Sequence, residues 1–270
     1  MEKLTIKCEK QEKLYDILRK NGITYNQYQK ALRNKDIKIN GKRIKSDSIV
    51  LVGDEITIYY EKANHEIEII YQDENVIIAN KPIGIEVEGK DGLAEKLNAL
   101  AVHRLDRNTT GVIILAKDAE SQGILTDAIK ARTITKKYMA YVVGETHFNG
   151  EYKAYLVKDA QKSVVKIYNT PQKNSVQIIS IFKTIKNEGD KSLVECTLVT
   201  GKTHQLRAHL AYLGHPIIGD GKYGKNDDNK KFGEKYQLLH CFYIKFDKIQ
   251  GKLNYLEGKI FVKNPEFIIQ

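Results

Sequence analysis

The feature that most constrains this chain is alternation. Beyond residue 66, stretch after stretch places apolar side chains at every second position: YMAYVV, VQIISIF, SLVECTLV, YIKF and GKIFV. A period of two is that of a strand with one face buried. LVKDAQKSVVKIY reads the same way, and IEIIYQDENVIIANKP reads as two strands around a turn at Asp73-Glu74-Asn75. Helical spacing is confined to DAESQGILTDAIKAR (118–132) and THQLRAHLAYLG (203–214). Many strands with few helices predict an α+β fold: a mixed, mainly antiparallel sheet with helices laid on it. The polar run GKYGKNDDNKKFGEK (221–235) is expected to be a mobile loop, and no internal repeat occurs.

The first 60 residues are built differently. They hold 13 Lys and Arg against 8 Asp and Glu, half of the whole chain's net charge of +10. Leu14, Ile17 and Leu18, then Tyr25, Tyr28 and Leu32, follow helical spacing and predict two short helices joined at Asn21-Gly22. IKINGKRI carries Asn40-Gly41 between alternating residues, a hairpin signal, and GDEITIYY closes the segment as a strand. Residues 61–65 are polar and read as a linker. Two domains, 1–62 and 66–270, suit a chain of 270 residues.

The charge excess predicts a polyanionic partner. Cys8, Cys196 and Cys241 are odd in number and far apart, which disfavours a disulfide framework or a CxxC zinc site and suits a reducing compartment. No stretch near the start has the apolar run of a signal peptide, and none has the roughly 18 apolar residues of a membrane helix. The expectation is a cytoplasmic, membrane-free monomer.

Chemistry concentrates in VHRLDRNTTGVIIL, where Asp106 lies between Arg104 and Arg107, just ahead of an apolar run. Three readings compete. A metal site could draw on His103, Asp106, His204, His209, His215 and Asp220. However, His204 and His209 are five apart, so on a helix they diverge, and no metal is expected. Serine or cysteine hydrolysis lacks a GxSxG elbow and an electropositive cysteine. The third reading makes Asp106 the reactive group, its charge favoured by a nearby arginine. On a strand Arg104 would share its face and Arg107 would not, and Arg207 of THQLRAHL is an equal candidate.

HRLDRNTTG resembles the HRLDxxTSG signature of the RluA-type RNA pseudouridine synthases, and LVTGKTHQLRAHLAYLGHPIIGDGKYG resembles their TGRTHQIRVHLxxxGHPIxGDxxYG segment. VIIANKPIG, KKYMAYVVG and QLLHCFYIKF are similar to three further family segments, in the same order. The resemblance spans residues 76–246 and implies the pseudouridine synthase fold and isomerisation of uridine in ribosomal or transfer RNA, without a cofactor. It implies that Asp106 is the catalytic nucleophile and Arg207 its partner. By the same resemblance, Tyr138 stacks on the target base and takes part in proton removal, and Arg104 contacts RNA. Lys202, where the family has arginine, is a further RNA contact, and His103, Thr109 and His204 are structural supports. The first 60 residues resemble the small S-four-type RNA-binding domain, which implies RNA contacts at Lys30, Arg33, Lys35, Lys38, Lys42 and Arg43. A non-catalytic RNA-binding protein on the same fold is the alternative.

Overall fold

The computed structural model describes residues 1–60, 67–159 and 163–268. The chain divides into two compact units, Met1–His65 and Glu66–Gln270. The linker expected over 61–65 lies outside the described residues.

In the first unit β1 (Glu2–Lys7) and β2 (Glu12–Lys13) precede α1 (Leu14–Lys20) and α2 (Tyr25–Asn34). Then come β3 (Ile37–Ile39), β4 (Lys42–Arg43), β5 (Ile49–Val50) and β6 (Glu55–Tyr60). Leu14, Ile17, Leu18, Tyr28 and Leu32 are buried with Ile37, Ile56 and Ile58, so the helical spacing marks the core face at five of its six positions; Tyr25, in the first turn of α2, is exposed. Thr24 caps α2 in a reciprocal pair with Gln27. Asn40 and Gly41 both take positive φ, 49° and 77°, as a tight hairpin between right-twisted strands requires. The sheet order is β1-β6-β3-β4. β1 was not anticipated: it is an edge strand whose apolar residues, Leu4 and Ile6, are only half-buried.

The second unit is built on one large sheet. Its elements are β7 (Glu68–Gln72), β8 (Val76–Lys81), α3 (Leu93–Lys96), β9 (Leu100–Ala101), β10 (Thr110–Ala116), α4 (Ala119–Lys130), β11 (Ile134–Val143) and β12 (Asn149–Asp159). They continue as β13 (Val164–Tyr168), β14 (Val176–Glu188), β15 (Lys191–Leu198), α5 (Gln205–Tyr212), α6 (Asn226–Phe232), β16 (Leu239–Phe246) and β17 (Ile260–Val262). The strand order is β13-β12-β14-β15-β11-β16-β10-β8-β7, with β17 on β16 and β9 on β10. Among the described strands every pairing is antiparallel except that of β10 with β16.

β10 explains the unbroken run Val112-Ile113-Ile114-Leu115. It lies between β8 and β16, and residues 111–116 are all buried, so no face is left to be polar. Leu125 of α4 joins the same core. Gly111, at φ +112°, is required where β10 meets β16: a Cβ there would lie 2.2 Å from the Cys241 carbonyl oxygen.

Two expectations are corrected. The run 221–235 is not a structureless loop, because it contains α6. None of that helix's residues is buried, so it shows no apolar period to read. Its ends do carry signals: Asp227 and Asp228 in the first turn, Lys230 and Lys231 in the last, and a left-handed Gly233 cap. LVKDAQKSVVKIY is two paired strands, β12 and β13, rather than one. Residues 160–162 between them lie outside the described residues. No helix among the described residues is long and apolar enough to cross a membrane.

Candidate active site

Asp106 sits in the irregular loop between β9 and β10, not on a strand, so strand alternation does not order its neighbours. The Thr109 N–H donates to the Asp106 carbonyl at 2.9 Å and closes the turn. Thr109 is buried and its Oγ1 accepts from Gln237 Nε2 at 2.7 Å. His103 Nε2 accepts the Ile114 N–H of β10 at 3.1 Å, which ties the loop to the core strand. Burial, with Lys136 adding to it, pushes His103 far below its usual pKa, so this imidazole is neutral. The loop is thus held by the half-buried His103 at one end and the buried Thr109 at the other.

A buried lysine holds the loop from the β8 side. Lys81 of KPIG is fully buried, and its Nζ donates to the carbonyls of Pro82, Ile85 and Arg107 at 2.9, 2.8 and 3.0 Å. Burial drives its pKa down to about 7. Three carbonyl acceptors nevertheless match the three hydrogens of an ammonium, so the bonding favours the charged form. Arg107 completes this clamp: its Nε donates to the Gly84 carbonyl at 3.1 Å, and its own carbonyl accepts the Gly84 N–H at 2.9 Å. The two arginines flanking Asp106 therefore differ. Arg107 braces the KPIG turn, while Arg104 is exposed at the cavity mouth.

Arg207 on α5 joins two carboxylates. Its Nη1 donates to Asp106 Oδ2 at 2.7 Å, while Nε and Nη2 form a fork onto Asp220 at 2.7 and 2.9 Å. Asp220 is fully buried, and its Oδ1 also accepts the N–H groups of Lys222 and Tyr223 at 2.8 and 3.1 Å. Burial alone would raise the Asp220 pKa, but the Arg207 bonds and the two amides outweigh it and hold it below the usual carboxylate value. Gly219, at φ +80°, allows this turn, since a Cβ there would lie 2.0 Å from the Tyr236 carbonyl oxygen. Gln205, also buried, accepts from Thr200 Oγ1 and the Lys202 N–H and donates to Ile179 O and Ser180 Oγ. These bonds fix the start of α5 and with it the aim of Arg207.

Sequence reasoning missed Asp220, Lys81, Gln205 and Tyr223 as parts of this assembly. Asp220 had a legible signal: an acid directly after Pro216-Ile217-Ile218-Gly219 needs a buried cation.

A cavity of about 820 Å³ opens over Asp106, Arg104, Arg107, His204, Arg207 and Lys222. A smaller one of about 60 Å³ shares Asp106, Arg104, His204 and Arg207 with it and reaches Tyr138 and Lys202. Tyr138, on β11, is 4% exposed. Burial raises its pKa well above the usual value, assisted by Cys241 and Asp106, so the phenol keeps its proton. Lys202 is exposed at the rim. His204 Nδ1 lies 2.9 Å from the Tyr223 hydroxyl and its Nε2 lies 3.8 Å from Asp106 Oδ1. The other histidines go elsewhere: His209 Nδ1 to Ser180 Oγ at 3.2 Å and His215 Nδ1 to the Val143 carbonyl at 2.9 Å. Among the described residues no group of three or more His, Cys, Asp or Glu side chains is placed to hold a metal.

The six expected RNA-contacting residues of the first unit lie in the second half of α2, at its C-cap and on the β3–β4 hairpin. Arg33, Lys35, Lys42 and Arg43 are exposed, while Lys30 and Lys38 are half-buried, with Lys38 Nζ 5.7 Å from the Tyr59 ring.

Comparison with known proteins identifies the family. The family model described as RNA pseudouridylate synthase matches residues 75–212, a span that includes Lys81, Asp106, Tyr138 and Arg207. The chain is 34% identical to the Ribosomal large subunit pseudouridine synthase C of Rickettsia bellii, with 88% of this chain and 90% of that protein covered. It is 30% identical to the protein of the same name in Escherichia coli, covering 83% and 81%. The structure described as Human RNA Pseudouridylate Synthase Domain Containing 4 aligns with a TM-score of 0.58 at 26% identity, over 74% of this chain and 89% of that one. The mainly antiparallel sheet is accordingly the pseudouridine synthase fold, and the chain belongs to the RNA pseudouridylate synthase family.

Proposed function

We propose that this protein isomerises uridine to pseudouridine in large-subunit ribosomal RNA, with Asp106 as the nucleophile and Arg207 as its charge partner. The observation that carries this reading is the division of one buried guanidinium between two carboxylates. Asp220 takes two of its N–H groups and is sealed from solvent, whereas Asp106 takes one, through Oδ2, and lines the cavity with its side chain partly exposed. The ribosomal target is supported by the names of the relatives, and such a substrate suits a cytoplasmic protein with basic residues in its first unit.

The reaction exchanges a bond from C1′ to N1 for one from C1′ to C5, and a hydrogen leaves C5 while N1 gains one. The uracil must turn over, so the nucleotide has to leave the helical stack, at a cost of about a few kcal/mol. Stacking on an aromatic ring is worth roughly 1–3 kcal/mol, and Tyr138 supplies that ring at the floor of the smaller cavity. Asp106 Oδ1 is the oxygen available to bond the nucleotide, at the sugar or at the ring; that bond breaks again by the time C5 has joined C1′, so the carboxylate is returned free, while Oδ2 stays anchored on Arg207. Arg104 and Lys202 at the rim meet the RNA backbone. In the first unit Lys30, Arg33, Lys35, Lys38, Lys42 and Arg43 form an RNA-binding surface of the S-four type. His103 and Thr109 act as supports of the Asp106 loop through the bonds described above.

The test is release of tritium from ribosomal RNA labelled at uridine C5. Native protein is expected to release it and Asp106→Asn is not. No release by native protein from any cellular RNA fraction would defeat the catalytic reading.

A further inference from the structure

We propose that His204, with its tautomer set by Tyr223, is a positioning residue that fixes the reactive oxygen of Asp106. The proposal rests on Asp106 being the reactive group.

The hydrogen bonding leaves little freedom. The Val165 N–H of β13 donates to the Tyr223 hydroxyl oxygen at 2.9 Å. An amide can only donate there, so the phenol has one proton of its own to place. The neighbour within reach is His204 Nδ1 at 2.9 Å. Burial raises the Tyr223 pKa, which keeps that proton on the phenol. Tyr223 therefore donates to Nδ1, and the single ring proton of a neutral His204 resides on Nε2. That nitrogen lies 3.8 Å from Asp106 Oδ1, the oxygen not bonded to Arg207. The chain of dipoles runs from the β13 backbone through Tyr223 and His204 and ends on the nucleophile.

His204 is placed for this by an unusual backbone. It occupies the N-cap of α5 at φ 52°, in the left-handed region that residues other than glycine rarely adopt. Its imidazole is edge-on to the Tyr223 ring, with centroids 5.7 Å apart. Asp106 faces it from the loop before β10, Arg207 from α5, and Asp220, Lys222 and Tyr223 from the turn after α5. Burial pulls its pKa down, Arg207 and Lys222 act in the same sense, and Asp106 and Asp220 oppose them without prevailing. A neutral ring whose Nε2 lies 3.8 Å from Oδ1, beside Arg207 bonded to Oδ2, makes the two carboxylate oxygens unequal. Arg207 anchors one and His204 orients the other toward the cavity.

Single-turnover tritium release tests this with His204→Ala, His204→Gln and Tyr223→Phe, each with its denaturation midpoint measured. The 3.8 Å separation is longer than a hydrogen bond, and catalytic contacts of that length tighten in the Michaelis complex, so His204→Ala should slow the reaction about 10- to 100-fold with RNA affinity unchanged. Glutamine carries an N–H donor of similar reach, so His204→Gln should recover most of that loss. Tyr223→Phe keeps the ring but frees Nδ1 to take a proton, so the acidic limb of its pH–rate profile should move to higher pH. The proposal is overturned if His204→Ala equals native, if His204→Gln is as slow as His204→Ala, or if the Tyr223→Phe profile superimposes on the native one. Should His204→Ala fail to fold, the glutamine and phenylalanine variants decide alone. Absence of release by native protein would instead remove the parent reading.

Discussion

Asp106 and Asp220 share one guanidinium yet occupy opposite situations. Asp220 is fully buried and takes four N–H donors, two from Arg207 and two from the backbone. Asp106 takes one donor from Arg207 and retains 17% side-chain exposure at the cavity. The difference teaches that a residue's chemistry is set by how many of its lone pairs are already committed. A carboxylate buried with both oxygens engaged is a structural anchor, and one that lines a cavity with a single oxygen engaged can react.

The comparison can be broken most forcefully at the anchor. Removing one partner of a buried ion pair strands the other charge, so Asp220→Ala should cost about 3–5 kcal/mol in chemical denaturation, and activity should fall with folding. A loss below about 1 kcal/mol would mean that Arg207 does not depend on it. Lys81→Met comes next. It strands the Pro82 and Ile85 carbonyls and leaves that of Arg107 with only the Gly84 N–H, so it should cost about 1–3 kcal/mol, with slower tritium release because the Asp106 loop loses its clamp.

The pH dependence sharpens the same contrast. Asp220 has a folded pKa below its unfolded value of about 3.9, so its stabilisation is fully present above that value and is lost as pH falls through the folded pKa. Acid titration of stability should therefore be shallower in Asp220→Asn than in native protein, and parallel curves would contradict the assignment. The smallest effect is expected in the first unit. Replacing Arg33, Lys35, Lys42 and Arg43 by glutamine should lower the slope of log affinity for RNA against log salt by about 0.7–0.9 for each phosphate left unneutralised, with the single-turnover rate unchanged. An unaltered slope would remove their role as phosphate ligands.

Much of this molecule is legible before its structure. The strand patterns YMAYVV and SLVECTLV mark the second half of β11 and nearly all of β15, and the Asn40-Gly41 turn marks its hairpin, because side-chain periodicity and turn chemistry are local properties. The motifs around Asp106, Tyr138 and Arg207 bring together three residues whose side chains line one small cavity. What stayed hidden depends on long-range pairing. Lys81 looks like a surface lysine until the carbonyls of 82, 85 and 107 converge on it. Asp220 looks like a candidate metal ligand until α5 brings Arg207 to it. α6 has no buried face, so its sequence carries no period, and Asp106 lies on a loop whose path is set by bonds from His103, Thr109 and Lys81 rather than by propensity.

The most direct test of the division between the two acids is Asp106→Asn, assayed for denaturation and tritium release in the same preparation. Asparagine still offers Arg207 an oxygen, so stability should stay within about 1 kcal/mol of native. Release should fall by at least on the order of 10³-fold, the scale of losing a nucleophile. Near-native release from a folded Asp106→Asn protein would contradict the account.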